Sequence, residues 1–277
     1  MVKYSRGYTP LCLVDKALEA HNENCKNKEY KDSSSRYKCK FTKLGIDYYP
    51  IRDALKKIYR NKCAYCETHF NRSYIKIEHY RPKSVYYALA YSWSNLLPIC
   101  DICNTTKSNN FEVDGISVVN DVRSLEKLQY VTKEFNRIEK PKFLHPEIDD
   151  YSKMFRFDSQ GKIVVLKRAI DSHRMIYTIK YSNLNENALQ ERRAKVLKDF
   201  NNMMRELFLL AKNNIAYKRE MNRKIVDFFN DKNEFIAVRK FIIKYPKIFL
   251  EEYRADFVDE FKSTLEQYIK TIEVYNN

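Results

Sequence analysis

Hydrophobic residues in the last third of the chain recur at helical spacing. From about Asn185, a long stretch repeats apolar side chains every three or four residues, with polar residues between them. This period predicts a long helix that buries one face. Breaks near Asn230 and Pro246 divide the remainder into two or three more helices. The apolar positions of the long helix are Leu189, Val196, Leu197, Phe200, Met204, Leu207 and Phe208.

Shorter periodic segments come earlier in the chain. In residues 50–60, PIRDALKKIYR, a proline opens a stretch that places Ile51, Leu55 and Ile58 on one face, which predicts a helix. Residues 73–80, SYIKIEHY, alternate with a period of two, which predicts a strand.

Two later segments are less regular. The stretch NLLPICDICNTTKSNNF, residues 95–111, predicts a turn that leads into a short helix from about Cys103. Residues 143–167 predict a loop, a turn around Gly161 and a strand.

These segments predict a mostly helical α+β chain in four parts. Residues 1–49 form a polar, partly helical lead whose KDSSSRYK segment is expected to be an exposed loop. Residues 50–125 form a core, 126–184 a mixed loop and strand extension, and 185–277 a helical region. A content of only four glycines fits this helical bias.

The net charge and the apolar content of the chain limit the kinds of partner that it is expected to bind. The 277 residues carry a net charge of +15 with a pI near 9.3, which favours nucleic acid as the partner. Solubility alone, or an anionic membrane surface, would also account for the charge. No stretch approaches the roughly 20 apolar residues of a membrane span, and the N-terminus does not resemble a secretory signal. We therefore expect a cytoplasmic protein with no membrane partner.

Four of the seven cysteines form two CxxC pairs. Cys63 and Cys66 make one pair and Cys100 and Cys103 the other, which is the ligand set of a tetrahedral, structural Zn²⁺ site. The alternatives are a redox motif and buried free thiols. A redox motif needs one pair only and usually lies in a βαβ context, which is absent here. The remaining cysteines, expected to be free thiols, are Cys12, Cys25 and Cys39.

An acid and a histidine lie between the two CxxC pairs. Glu78 and His79 end the predicted strand, and Asn95 and Asn104 follow them. The order CxxC, Glu-His, Asn, CxxC-Asn resembles the zinc-stapled HNH endonuclease family over residues 63–111. This resemblance implies a ββα-metal fold and hydrolysis of nucleic-acid phosphodiester bonds.

The resemblance also implies a role for each side chain. His79, with an ordinary pKa near 6.5, would take a proton from the attacking water. Glu78 and Asn104 would bind Mg²⁺ or another divalent cation, which prefers oxygen ligands. Asn95 would orient His79 or brace its loop. The common family pattern has Asp where this chain has Glu78 and His where it has Asn104, and both residues of this chain still supply an oxygen ligand. Candidates to hold substrate phosphate are Arg81, Lys83 and Lys107.

A longer resemblance covers roughly residues 50–195. CAYCE, IEHYRPKS, HPEIDDYSKMFRFDSQGKI and YSNLNENALQERR together are similar to the HNH component of Septu-type anti-phage systems. This implies an effector nuclease assembled with an ABC/SMC-like ATPase, and in some retron systems with a reverse transcriptase and its nucleic acid. The helices after residue 185 would then be either a docking surface or an internal core.

Three other functions stay open. A retron-associated relative would cleave tRNA rather than DNA, so both DNA and RNA stay open as the substrate. A stand-alone restriction or toxin nuclease would need no partner. A binding module that had lost catalysis would keep only the zinc fold, but the presence of Glu78, His79 and both asparagines argues against this alternative.

Three further histidines have mainly structural explanations. His69 and His173 are expected at the surface. His145 precedes a run of acids, Glu147, Asp149 and Asp150, which is either a capped turn or a second cation site.

Overall fold

The computed structural model describes most of the chain in two compact units. The first unit comprises the described residues of 3–155 and 165–185, and the second those of 156–164 and 186–277. Cys39, nearly all of the loop expected at 31–38, and the start of the strand expected at 73–80 lie outside the described residues. The described residues are 6–14, 16–31, 41–43, 46–48, 50–70, 75–213 and 217–276.

The first unit carries short helices around two small sheets. Strand β1 (Phe41–Lys43) pairs antiparallel with β2 (Ile46–Tyr48), and β3 (Lys76–His79) pairs antiparallel with β4 (Leu96–Ile99). The helices among its described residues are α1 (Leu11–Val14), α2 (Lys16–Asn27), α3 (Pro50–Ile58), α4 (Asp101–Lys107), α5 (Leu125–Leu128), α6 (Thr132–Glu139) and α7 (Ser172–Tyr181).

The second unit is built from helices. The long helix expected from about residue 185 is present as α8, and the breaks near residues 230 and 246 are present too. In the part of this unit that the structure describes, four helices follow α8, because the segment after Pro246 forms a one-turn helix before the last long one. A third two-stranded sheet joins β5 (Phe155–Phe157) and β6 (Ile163–Val165). The helices are α8 (Asn187–Lys212), α9 (Tyr217–Phe229), α10 (Ile236–Lys244), α11 (Lys247–Leu250) and α12 (Ala255–Asn276).

The prediction of a mostly helical α+β fold is confirmed. The helix predicted at 50–60 forms α3, with Ile51 and Leu55 buried. Among the described residues, no helix is both long enough and apolar enough to cross a membrane.

Strand β4 occupies a segment that the sequence predicted to be a turn. The misleading residue is Pro98, which cannot donate to a strand ladder. Tyr80 N–H donates to Asn95 O at 2.8 Å, which makes Tyr80 and Asn95 a hydrogen-bonded pair. Back along β3 from this pair, non-hydrogen-bonded and hydrogen-bonded pairs alternate. Pro98, opposite Ile77, therefore falls at a non-hydrogen-bonded position where its missing N–H costs nothing. Its carbonyl instead accepts from Ala64 N at 2.9 Å.

The apolar core of the first unit lies on both sides of β4. Leu96 packs in a cluster with Leu55 and Trp93, whereas Leu97 packs in another with Tyr80 and Phe143. Successive side chains of a strand point to opposite faces. A strand buried on both faces is uniformly apolar, which explains why this segment lacks the alternation of β3.

A fully buried ion pair joins the end of β3 to α6. The Arg81 guanidinium Nε donates to Glu139 Oε2 at 2.7 Å, and neither side chain is exposed to solvent. The other carboxylate oxygen accepts from Tyr86 OH at 2.8 Å and from Val118 N at 2.9 Å. Arg81 also donates to Asn136 Oδ1 at 2.8 Å. Each partner therefore compensates much of the other's desolvation cost.

We predict that Glu139→Ala lowers the free energy of unfolding by about 3–5 kcal/mol, because it leaves the Arg81 cation buried without a counter-ion. Denaturant titration measures this change. The matched control is Glu112→Ala, which removes an exposed partner of Lys142 and should leave the free energy of unfolding close to that of the wild type. Equal losses in the two variants would contradict a buried pair.

Candidate functional site

Strands β3 and β4 and helix α4 form a continuous frame. Antiparallel register places Glu78 opposite Leu97 and His79 opposite Leu96. Strand β4 runs through Cys100 into α4, which packs against β3. The end of β3 that carries the acid and the histidine therefore lies beside a strand and a helix that are adjacent in the chain.

The four cysteines meet at one point, beyond the start of β3, because Cys100 follows Ile99, which lies opposite Lys76. Their sulfur atoms all lie within 4.8 Å of one another, and Cys66 Sγ is 3.7 Å from Cys100 Sγ. Four sulfurs about 2.3 Å from a tetrahedral Zn²⁺ would be about 3.8 Å apart. Burial raises the pKa of the Cys63 thiol well above its usual range. A cation at the centre would offset that cost by stabilising the thiolates.

Local backbone bonds shape both pairs. Around the first, Cys63 N donates to Thr68 O at 2.9 Å and Phe70 N donates to Asn61 O at 3.0 Å, which folds residues 61–70 into a tight loop. In the second, Cys100 caps α4 and Cys103 lies in its first turn. Cys100 N approaches Cys63 Sγ at 3.5 Å and so ties the two pairs together.

His79 is buried and has a defined ring orientation. Its Nε2 lies 3.0 Å from the carbonyl oxygen of Ala90, which can only accept, so Nε2 carries the proton. This tautomer leaves Nδ1 as the basic nitrogen. Burial lowers the pKa of His79 to about 3, and the cation of Lys83 adds to the shift. The imidazole is therefore neutral at pH 7, as a proton acceptor must be.

Asn95 connects the two ends of the loop between β3 and β4. Its Oδ1 accepts from Arg81 N at 2.8 Å, while its Nδ2 donates to Arg81 O and to Leu89 O, each at 3.1 Å. Leu89 O precedes the Ala90 carbonyl that holds His79. Because Asn95 is fully buried, these three bonds fix the loop at both sides of the histidine.

Glu78 and Lys107 form an ion pair at the strand end. Lys107 Nζ donates to Glu78 Oε1 at 2.6 Å and to the His79 carbonyl oxygen at 3.0 Å. The lysine side chain is fully buried, whereas 13% of the Glu78 side chain is exposed. Burial raises the pKa of Glu78, and the Lys107 charge opposes that shift.

Asn104 lies on α4 one turn before Lys107. Residues three apart share a helix face, so Asn104 is on the face from which Lys107 reaches β3. Its side chain is partly exposed. The structure thus places Glu78, His79 and Asn95 around the end of β3, and Asn104 on the helix whose last residue, Lys107, contacts that end.

Two of the three cations expected to hold phosphate are instead buried in ion pairs. Arg81 is paired with Glu139, and Lys107 with Glu78. Neither side chain is solvent-accessible, so the structure does not support their assignment as phosphate contacts. Lys83 is partly exposed, and its Nζ lies 4.3 Å from the centroid of the Tyr30 ring.

The acidic run after His145 forms a turn rather than a cation site. Asp149 Oδ2 accepts from His145 N at 2.7 Å, and both Asp149 oxygens are held by Arg174 at 2.9 and 3.0 Å. Glu147 Oε2 is 2.7 Å from Arg6 Nε. His145 is buried, whereas His173 is exposed as expected and His69 is only partly exposed.

The sequence did not identify two contributors to the site. The Ala90 carbonyl sets the tautomer of His79. Every residue has a backbone carbonyl, so the sequence gives no indication of which one binds the histidine. Arg6 donates to the carbonyls on either side of the Ser94–Asn95 segment, those of Trp93 at 2.5 Å and Leu96 at 2.6 Å. Arg6 precedes these partners by almost 90 residues in the sequence, so no local pattern connects them.

Comparison with known proteins identifies the same region. Residues 63–110 match the family model described as HNH endonuclease. The chain is 34% identical over 178 residues to Septu protein PtuB of Bacillus mycoides (strain KBAB4), covering 58% of this chain and 56% of that protein. It is 27% identical over 243 residues to Septu protein PtuA of the same strain, covering 80% of this chain but 31% of that protein.

A third relative is Septu protein PtuB of Bacillus thuringiensis, 40% identical over 62 residues, which are 22% of this chain and 24% of that protein. The chain thus spans less than two thirds of the length of each of these relatives. Together with the ββα frame, these matches show that residues 63–110 are an HNH endonuclease domain in a chain related to Septu proteins.

Proposed function

We propose that this protein is a metal-dependent HNH endonuclease that hydrolyses phosphodiester bonds of DNA or RNA in anti-phage defence. The supporting observation is the end of β3, where a neutral histidine with a fixed tautomer adjoins a carboxylate, next to a helix that carries Asn104. The HNH family match over the same residues adds to it.

His79 is the general base in this proposal. With Nε2–H bound to the Ala90 carbonyl, Nδ1 accepts a proton from water as the water oxygen attacks phosphorus and the bond to the 3′ oxygen breaks. A phosphate anion beside the imidazole favours its protonated form, which raises the pKa of His79 from its low value towards that of an effective base. Asn95 holds the loop and so keeps the imidazole in place.

Glu78 and Asn104 suit a hard divalent cation such as Mg²⁺. They offer a carboxylate and an amide oxygen, the ligand types that Mg²⁺ prefers. Glu78 is mostly buried with a raised pKa, and a cation nearby would stabilise its ionised form. When bound, such an ion would stabilise the negative charge that develops on the phosphate and on the leaving oxygen.

The four cysteines suit a structural Zn²⁺. Their sulfur separation matches a tetrahedral site, and all four positions are taken by protein ligands, which is typical of structural rather than catalytic zinc. In this proposal the zinc joins the turn after α3 to the start of α4, on which Asn104 lies.

The charge distribution supports a nucleic-acid substrate. Eleven of the fifteen net positive charges fall in residues 3–155 and 165–185, the unit that contains the HNH domain. Lys83 is the candidate phosphate contact, because it is partly exposed and its charge acts on both Glu78 and His79.

We predict that His79→Ala lowers the rate of nucleic-acid cleavage by about 10²–10⁴-fold, the usual contribution of a general base. Single-turnover cleavage with Mg²⁺ measures the loss. Zinc content should stay near wild type and thermal unfolding should stay cooperative at a lowered melting temperature, which separates loss of chemistry from loss of fold. The matched control is His173→Ala, an exposed histidine of the same unit; cleavage by His79→Ala at the control rate would refute the assignment.

We predict one bound zinc per chain, lost together with the fold of the HNH region when Cys63 or Cys103 is replaced by serine. A thiolate lost from a closed tetrahedral site removes a quarter of its ligands and leaves the other buried thiols uncompensated. Metal analysis and melting temperature test this prediction. Cys12→Ser, a buried cysteine outside the cluster, is the control, and zinc retained without Cys63 would exclude the site.

We further propose that the nuclease acts in a complex with an ABC/SMC-like ATPase, in some systems alongside a retron reverse transcriptase, and that α8–α12 supply the docking surface. The similarity to Septu proteins supports this assembly. We expect co-purification with the product of the neighbouring gene, and cleavage that depends on the complex. Plasmid, single-stranded DNA and tRNA identify the substrate; full activity of the isolated chain would instead favour a stand-alone nuclease.

A further inference from the structure

Lys107 makes its contacts inside the protein. It is the last residue of α4, and its side chain has no solvent-accessible surface. Its ammonium donates to Glu78 Oε1 at 2.6 Å and to the His79 carbonyl oxygen at 3.0 Å, and it lies 5.5 Å from the centroid of the Phe143 ring. A carboxylate, a carbonyl and an aromatic face therefore surround the charge.

Such burial is costly, so the contacts must be specific. An ammonium transferred from water to a protein interior loses several kcal/mol of hydration unless charged and polar partners replace the water. Burial lowers the pKa of Lys107, and the nearby Glu78 carboxylate opposes that shift. A lysine used in this way cannot also reach a phosphate in solvent.

We propose that Lys107 is a positioning residue, which holds the Glu78 carboxylate and the end of β3 in the geometry that a divalent cation needs. The inference rests on the proposed function of this site. It assigns Lys107 to the support of the metal ligand rather than to the substrate.

The geometry explains how two consecutive strand residues serve one site. Side chains of neighbouring strand residues point to opposite faces, so Glu78 and His79 would ordinarily diverge. Lys107 binds the side chain of Glu78 and the backbone carbonyl of His79 together. It therefore sets the position of the carboxylate relative to the peptide that carries the base, and it occupies only Oε1 of the two carboxylate oxygens.

The test compares metal binding and nucleic-acid binding in Lys107→Met. Mn²⁺ affinity is measured by electron paramagnetic resonance, and affinity for duplex DNA is measured in a His79→Ala background that prevents cleavage. We expect the Mn²⁺ dissociation constant to rise by about 10–100-fold, as when an outer partner of a metal ligand is lost. DNA affinity and its salt dependence should stay unchanged.

Two further lysine variants serve as controls for Lys107→Met. Lys142→Met removes an exposed lysine that pairs with Glu112, and it should alter neither affinity. Lys83→Met removes the proposed phosphate contact; it should weaken DNA binding and reduce the slope of log K against log salt by about 1, without the loss of Mn²⁺ affinity expected for Lys107→Met.

Three outcomes would overturn the inference. An unchanged Mn²⁺ affinity in Lys107→Met would show that Glu78 needs no support, and a tighter one would show that the lysine competes with the cation. A loss of DNA affinity like that of Lys83→Met would restore Lys107 as a phosphate contact. If wild-type protein neither binds Mn²⁺ nor cleaves, the proposed function itself fails, which is distinct from a failure confined to Lys107.

Acylation of the wild-type protein gives a test that needs no folded variant. Lys107 should react only after denaturation, whether or not DNA is present, while Lys83 and Lys142 react in the folded state. Labelling of Lys107 in folded protein would overturn the inference.

Discussion

Convergence of four cysteine sulfurs is the constraint on which the HNH domain depends. Cys63 and Cys66 lie on a tight loop after α3, and Cys100 and Cys103 lie at the start of α4. Among the described residues, the small β3–β4 sheet between them has two strands, and such a sheet is marginal on its own in water. Fixing the loop against α4 holds the segment between the pairs as a closed unit. Bound zinc would convert this geometry into folding free energy.

Within that frame, buried polar contacts fix the loop and the strand end that carry Glu78 and His79. Asn95 ties the loop beside His79, and the pair of Arg81 with Glu139 anchors the end of β3 to α6. Lys107 holds the carboxylate that precedes the histidine. In the proposed function, these two buried cations support the site, and residues at its surface bind phosphate.

Much of the fold was predictable from local pattern. The spacing of Ile51 and Leu55 identified α3, the long repeat after residue 185 identified α8, and cysteine spacing identified the cluster. Strand β4 was not predicted, because Pro98 is a poor strand residue unless its partner register is known. Sequence order placed Glu78 and His79 together but gave no indication of the Ala90 carbonyl that selects the tautomer.

The sequence by itself determined the kinds of groups available: four cysteines in two CxxC pairs, an acid beside a histidine, and two asparagines that follow them. The tertiary structure alone decided what each cation does. Arg81 and Lys107 have the same charge as Lys83, yet only Lys83 retains exposure to solvent. The physical reason is that the cost of burying a charge depends on partners from distant segments, Glu139 for one cation and Glu78 for the other. Local sequence does not specify such partners.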